Sequence, residues 1–176
     1  MFSSRTNLIL IGFMGSGKSS LGRLAARELD FEFVDTDALV VQQAGFDIST
    51  IFALHGEAYF REEETKAIAS LTEADRCVIS TGGGAVLSEK NRDLLREIGF
   101  VVLLTAREEV IWERVSRNNK RPLLRTPNPR ETVSRLLAER RPTYEAAAHF
   151  IVDSSDIPRE EALQQVLEAA REAWSA

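Results

Sequence analysis

Four apolar residues, Leu8-Ile9-Leu10-Ile11, run straight into Gly12-Phe13-Met14-Gly15-Ser16-Gly17-Lys18-Ser19, and a helical stripe of Leu21, Leu24, Ala25 and Leu29 follows. This order constrains the chain more than any other feature: a buried strand, a glycine-rich turn, then a helix. The turn satisfies G-x-x-x-x-G-K-[ST] at every fixed position, a pattern with a physical mechanism. Its glycines let backbone N–H groups turn inward around a phosphate chain. The lysine reaches the terminal phosphates, and the hydroxyl that follows is offered to Mg²⁺. The plain alternative is a glycine-rich turn with no ligand. A chance match in a chain of this length is roughly a one-per-cent event, so a phosphate site is the working expectation.

The rest of the chain alternates in the same way. Apolar runs at 8–11, 31–34, 77–79, 100–104 and 150–152 are mostly continuous, as in strands buried on both faces of a parallel sheet. Helical patterns fill the gaps, and the last one places Leu163, Val166, Leu167, Ala170 and Trp174 on one face after Pro158. Thr105 and Glu108 suggest a capping box, and Gly99 a helix stop. Strand–helix alternation predicts an α/β sheet between helical layers. With 176 residues, 44% of them hydrophobic, one domain with a real core is expected. The segment 116–129, with three prolines and three arginines, has little periodicity and reads as a lid or as disorder.

The net charge of −5 argues against a nucleic-acid or anionic-membrane surface. Cys77 is the only cysteine, so no intrachain disulfide can form, and its apolar setting suggests a buried, inert thiol. The N-terminus lacks a signal-peptide pattern, and no apolar run approaches membrane-spanning length. A cytoplasmic chain is the expectation.

Four polar clusters then bear on what happens to a bound nucleotide. Asp35-Thr36-Asp37 closes the second strand, where parallel sheets border their ligand crevice. If that strand continues, residues two apart point the same way, so one carboxylate can hold Mg²⁺ through water and the other can face a substrate hydroxyl. A solvated cap for the next helix fits the same three residues. Arg61 and Glu64 lie three apart on a helical pattern over 56–71, as an ordinary surface ion pair also would. Gly82-Gly83-Gly84 follows the third strand and either lets main chain approach a ligand or forms a flexible turn. Arg140 continues the core-facing stripe of Val133 and Leu137 toward Tyr144, so it needs an anionic partner, from the protein or from a ligand. His55 and His149 show no catalytic pattern.

Taken together, the chain resembles shikimate kinases. The matching elements are Gly12 to Ser19, Asp35-Thr36-Asp37, Phe52 with Gly56-Glu57, Phe60-Arg61 with Glu64, Ser80 with Gly82-Gly83-Gly84, Arg121-Pro122-Leu123-Leu124, and Arg140 with Pro142 and Tyr144. They run in one order over nearly the whole length. The resemblance implies a three-layer P-loop kinase fold, like that of nucleoside monophosphate kinases, with a five-stranded parallel sheet in order 2-3-1-4-5. It implies one domain over 1–176, a mobile lid at about 116–129 and a substrate-binding helical region at about 37–72. The implied reaction moves the ATP γ-phosphate to the 3-hydroxyl of shikimate, on the route to chorismate and aromatic amino acids.

By the same resemblance, Gly15, Ser16, Gly17, Lys18, Ser19 and Ser20 hold the ATP phosphates, Arg114 stacks on adenine and Arg121 reaches the phosphates from the lid. Ser19 binds Mg²⁺, with help from Asp35. Asp37 is the candidate base, with Lys18 and Arg121 as catalytic cations. Arg61, Arg140, Gly82 and Gly83 join Asp37 in binding shikimate. ATP and shikimate are the implied partners, and a monomer is expected. The rivals are another small-molecule kinase of this fold, for gluconate or a nucleotide, and a P-loop switch that transfers no phosphate. Asn119-Lys120-Arg121-Pro122 lacks the Asp of a guanine-reading N-K-x-D motif, which counts against a GTPase.

Overall fold

The computed structural model describes residues 6–117 and 124–175. Its five strands are β1 (Leu8–Ile11), β2 (Glu32–Asp35), β3 (Cys77–Ser80), β4 (Phe100–Thr105) and β5 (Phe150–Asp153). Seven α-helices join them: α1 (Lys18–Leu29), α2 (Thr36–Ala44), α3 (Ile48–Ala69), α4 (Glu89–Ile98), α5 (Glu108–Ser116), α6 (Pro129–Ala147) and α7 (Arg159–Ser175). The strands form one parallel sheet in the order β2-β3-β1-β4-β5. This is the sheet order that the resemblance implies.

The central strand explains the layering. Leu8 to Ile11 are all fully buried, and successive side chains enter opposite layers. Ile9 and Ile11 pack with Ile79, Val101 and Leu103 against α3 to α6, while Leu8 and Leu10 pack with Val78, Val102 and Leu104 against α1 and α7. The edge strands depart from the two-sided burial expected of every strand. In β2 no residue is fully buried, and in β5 only Val152 is. An edge strand has a neighbour on one side only, so its residues are covered less completely. A smaller cluster of Val40, Ile51, Phe60 and Ala67 ties α2 to α3.

Local signals explain the helix ends, with one correction. Gly99 stops α4 as expected, its N–H donating to the Leu95 carbonyl at 3.2 Å. Its φ of 174° is extended, and its small size serves close packing, since a Cβ there would sit 2.5 Å from the Asn7 carbonyl oxygen. The Thr105–Glu108 capping box, by contrast, does not form. Thr105 completes β4, and the residue that caps α5 is Arg107, with no side-chain cap. Within α3 the helix breaks at Gly56, whose φ of 81° and ψ of 175° are accessible to glycine, so its second part begins where the sequence pattern suggested. Among the described residues, no helix is long and apolar enough to cross a membrane.

One buried polar residue fixes the far end of the sheet. Asn7 is 0% exposed. Its Nδ2 donates to the Ala74 and Ile98 carbonyls at 2.7 and 3.0 Å, and its Oδ1 accepts the Cys77 N–H at 2.9 Å. The starts of β1, β3 and β4 are thereby held in register. Asn7→Ala removes all three bonds and leaves their partners buried, so it should cost about 2–4 kcal/mol. The check is a denaturant melt, in which the midpoint falls while the slope stays constant.

Candidate active site

The C-terminal ends of β1, β2 and β3 meet on one side of the sheet, where the chain reverses direction of winding and open α/β sheets bind ligands. After β1 the loop turns through Gly12, Gly15 and Gly17, all with positive φ. Gly17 precedes α1 without any side-chain cap, which leaves first-turn N–H groups pointing at the loop mouth. Lys18 folds over the loop, and its ammonium donates to the Gly12 and Phe13 carbonyls at 2.9 Å each. A backbone cradle with a cation across it suits a phosphate chain.

Beside the loop lies an oxygen cluster. Ser19 Oγ donates to Asp35 Oδ2 at 3.0 Å, and Ser80 Oγ is 3.2 Å from Ser19 Oγ. Asp35 ends β2, and its other oxygen caps α2 by accepting the Asp37 and Ala38 N–H groups at 3.0 and 3.4 Å. Capping and the serine contact thus occur in the same carboxylate. The premise that Asp35 and Asp37 share a strand face does not hold, because Asp37 lies in the first turn of α2. The donor set is oxygen only, which fits Mg²⁺, a hard cation that keeps most of its water and takes few protein ligands.

A second group gathers around the glycine run after β3. A Cβ placed on Gly82 would lie 2.6 Å from Asp37 Oδ1 and 2.7 Å from Glu64 Oε1, so both carboxylates converge on its bare Cα. Its N–H donates to Thr36 Oγ1 at 3.1 Å. Arg61 pairs with Glu64 at 2.9 Å and with Glu57 at 3.1 Å. This is not the surface pair that the sequence left open, because Glu64 is 0% exposed. Burial pushes the Glu64 carboxyl above the ordinary carboxylate range, nearby Arg61 pulls it back, and the Asp37 charge adds to the rise.

Arg140, on α6, is only 6% exposed, with its guanidinium 5.9 Å from the Phe13 ring centre. Among the described residues no carboxylate lies within ion-pair distance of it. One turn on, the Tyr144 hydroxyl donates to the Gly83 carbonyl. Burial pushes that phenol up to about 12, so it remains a donor at any physiological pH. The Arg140 guanidinium lies against the Tyr144 phenol and its charge also acts on Glu64, but among the described residues no carboxylate is in ion-pair contact with it, so it can take an anion from outside.

Residues 14–171 match the family model for shikimate kinase. The chain belongs to the shikimate kinase family. It is 46% identical to the shikimate kinase of Geobacter metallireducens over 93% of this chain and 91% of that one. It is 42% identical to the enzyme of Thermodesulfovibrio yellowstonii over 92% of both. The structure of shikimate kinase from Acinetobacter baumannii in complex with shikimate is similar with a TM-score of 0.91 at 34% identity, covering 96% of this chain and 94% of that one.

Within this shikimate kinase fold, a cavity of about 290 Å³ opens on the far side of the phosphate loop, lined by Gly17, Ser20, Arg114, Ile157, Arg159 and Ala162. Arg114 reaches it from α5 and donates to the Gly15 carbonyl at 3.3 Å. The sequence-derived residues therefore fall into two groups. Gly15, Ser16, Gly17, Lys18, Ser19, Ser20, Asp35 and Arg114 surround the loop, while Asp37, Arg61, Gly82, Gly83 and Arg140 lie around the glycine run. Arg121 lies outside the described residues. Sequence reasoning did not single out Thr36, Ile157, Arg159 or the separate role of Gly84. Ile157 and Arg159 flank Pro158 after β5.

Proposed function

We propose that this chain binds ATP along the loop from Gly15 to Ser20, binds shikimate between Asp37, Arg61, Arg140 and the glycine run, and transfers the γ-phosphoryl group to the 3-hydroxyl. The observation that carries the reading is the position of buried Arg140, which has no ion pair among the described residues, beside Phe13 of the phosphate loop. Two arginines select an acid, and an aspartate beside them selects its hydroxyls.

The loop N–H groups and Lys18 hold the phosphates, with Arg114 at the nucleotide cavity and Arg121 as a further cation. Asp37 accepts a hydrogen bond from the attacking hydroxyl and takes its proton as the phosphoryl group is transferred. Phosphoryl transfer needs mainly positioning and charge neutralisation, so cations at the donor and a fixed acceptor supply most of what is required. Ser19 would hold Mg²⁺, with Asp35 assisting through water. When bound, the ion neutralises charge on the β- and γ-phosphates. A monomer acting in the cytoplasm, with 116–129 as its lid and no nucleic-acid or membrane partner, completes the proposal.

A coupled ADP-release assay with ATP, Mg²⁺ and a panel of shikimate, quinate, gluconate and nucleoside monophosphates tests it. ADP release should depend on shikimate. Turnover with another acceptor alone, or none with shikimate from folded protein, contradicts the assignment.

A further inference from the structure

The run Gly82-Gly83-Gly84 is not required by backbone conformation. The positive-φ glycines are Gly12, Gly15, Gly17, Gly45 and Gly56, and Gly84 has φ −104° and ψ 1°, which alanine also adopts. Space is what excludes a side chain there. A Cβ on Gly84 would lie 2.4, 2.5 and 2.6 Å from Nη2, Nη1 and Cζ of Arg61. All three atoms are nearly equidistant from that point, so the guanidinium covers the face of Gly84 rather than touching it with one tip. Gly82 seats Asp37 and Glu64 in the same way, and a Cβ on Gly83 would meet the Met14 backbone nitrogen of the phosphate loop at 3.2 Å.

We propose that Gly84 is a positioning residue for recognition of the substrate carboxylate: its bare Cα is the seat that fixes the plane of the Arg61 guanidinium. The inference rests on the assignment of Arg61 to shikimate binding. Arg61 is held from one side by Glu64 and Glu57, and the Gly84 face limits it on another. A carboxylate is read by two parallel N–H···O bonds, which require a fixed plane as well as a charge. A methyl group on Gly84 needs about 3.5 Å from the guanidinium atoms, so the group must retreat by roughly 1 Å. The displaced group is the far end of a long side chain rather than backbone, so the fold is kept and the geometry of the site is not.

The experiment compares Gly84→Ala, Arg61→Ala and the double variant by shikimate and ATP kinetics, with thermal melts as a check on folding. Wild-type turnover of shikimate is measured first, because its absence overturns the functional reading together with this inference. Gly84→Ala should raise the shikimate KM by about 10- to 100-fold with the ATP KM within about twofold, since a misplacement of this size costs on that order. In the Arg61→Ala background it should add nearly nothing, the non-additivity expected of residues acting through one another. Shikimate turnover that depends on Arg61 while Gly84→Ala leaves the KM unchanged, or an equal penalty in both backgrounds, overturns the seat and leaves the functional reading standing. Failure of Gly84→Ala to fold while Arg61→Ala folds would show that the fold itself needs the glycine, and overturns the proposal as well.

Discussion

Replacing Arg140 by alanine is expected to raise the KM for shikimate by about 100-fold or more while the ATP KM stays within about twofold. The size follows from burial. At 6% exposure, the guanidinium has lost most of its water and, among the described residues, meets the Tyr144 phenol and the Glu64 charge but no carboxylate within ion-pair distance, so an incoming carboxylate adds the missing contact. Truncation removes a desolvated, charge-assisted pair rather than a surface contact screened by salt. Because the carboxylate is remote from the reacting hydroxyl, the loss should fall mainly on KM, with a smaller effect on kcat. Arg140→Lys should recover only part of it, since an ammonium cannot reproduce two parallel bonds. Steady-state kinetics with each substrate varied in turn check the split. Equal losses for ATP and shikimate would instead mean that Arg140 serves the fold or the nucleotide.

Asp37→Asn is expected to lower kcat by about 10²- to 10⁴-fold and to leave ATP affinity, read by calorimetry, nearly intact. Asparagine keeps the size of the side chain against Gly82, where a single added carbon would already be too close. What it loses is the ability to take a proton and the negative charge facing the hydroxyl. Asp37 lies at the start of α2 on the acceptor side, while the loop residues around Lys18 hold the donor, so the nucleotide should not sense the change. Near-normal turnover would remove Asp37 from the proton path and leave it a positioning contact at most.

The fold was legible because its signals are local and repeated. Continuous apolar runs gave every strand to within a residue or two, and the phosphate-loop pattern named both the turn and the elements on each side of it. Single polar residues were harder to read. Asp35 presented a cap and a site residue as alternatives, yet the cap uses only one of its oxygens and leaves the other bonded to Ser19 of the phosphate loop. Spacing shows Arg61 and Glu64 three apart on a helix, but only the packing of α3 against the glycine run makes Glu64 a buried charge. Arg140 was detectable because a permanent charge interrupts a core stripe. The seat on Gly84 was not, because it joins residues 61 and 84 through an empty volume, and no periodicity in the sequence encodes an empty volume.

The most direct test of the whole account is to identify the product. The protein, ATP, Mg²⁺ and shikimate are incubated together, and the mixture is followed by ³¹P–¹H correlation spectroscopy. One new phosphomonoester, coupled to the proton on carbon 3 of shikimate and formed in step with ADP, is the predicted result. ADP formed together with inorganic phosphate alone, or a phosphate on a different hydroxyl, would contradict the account.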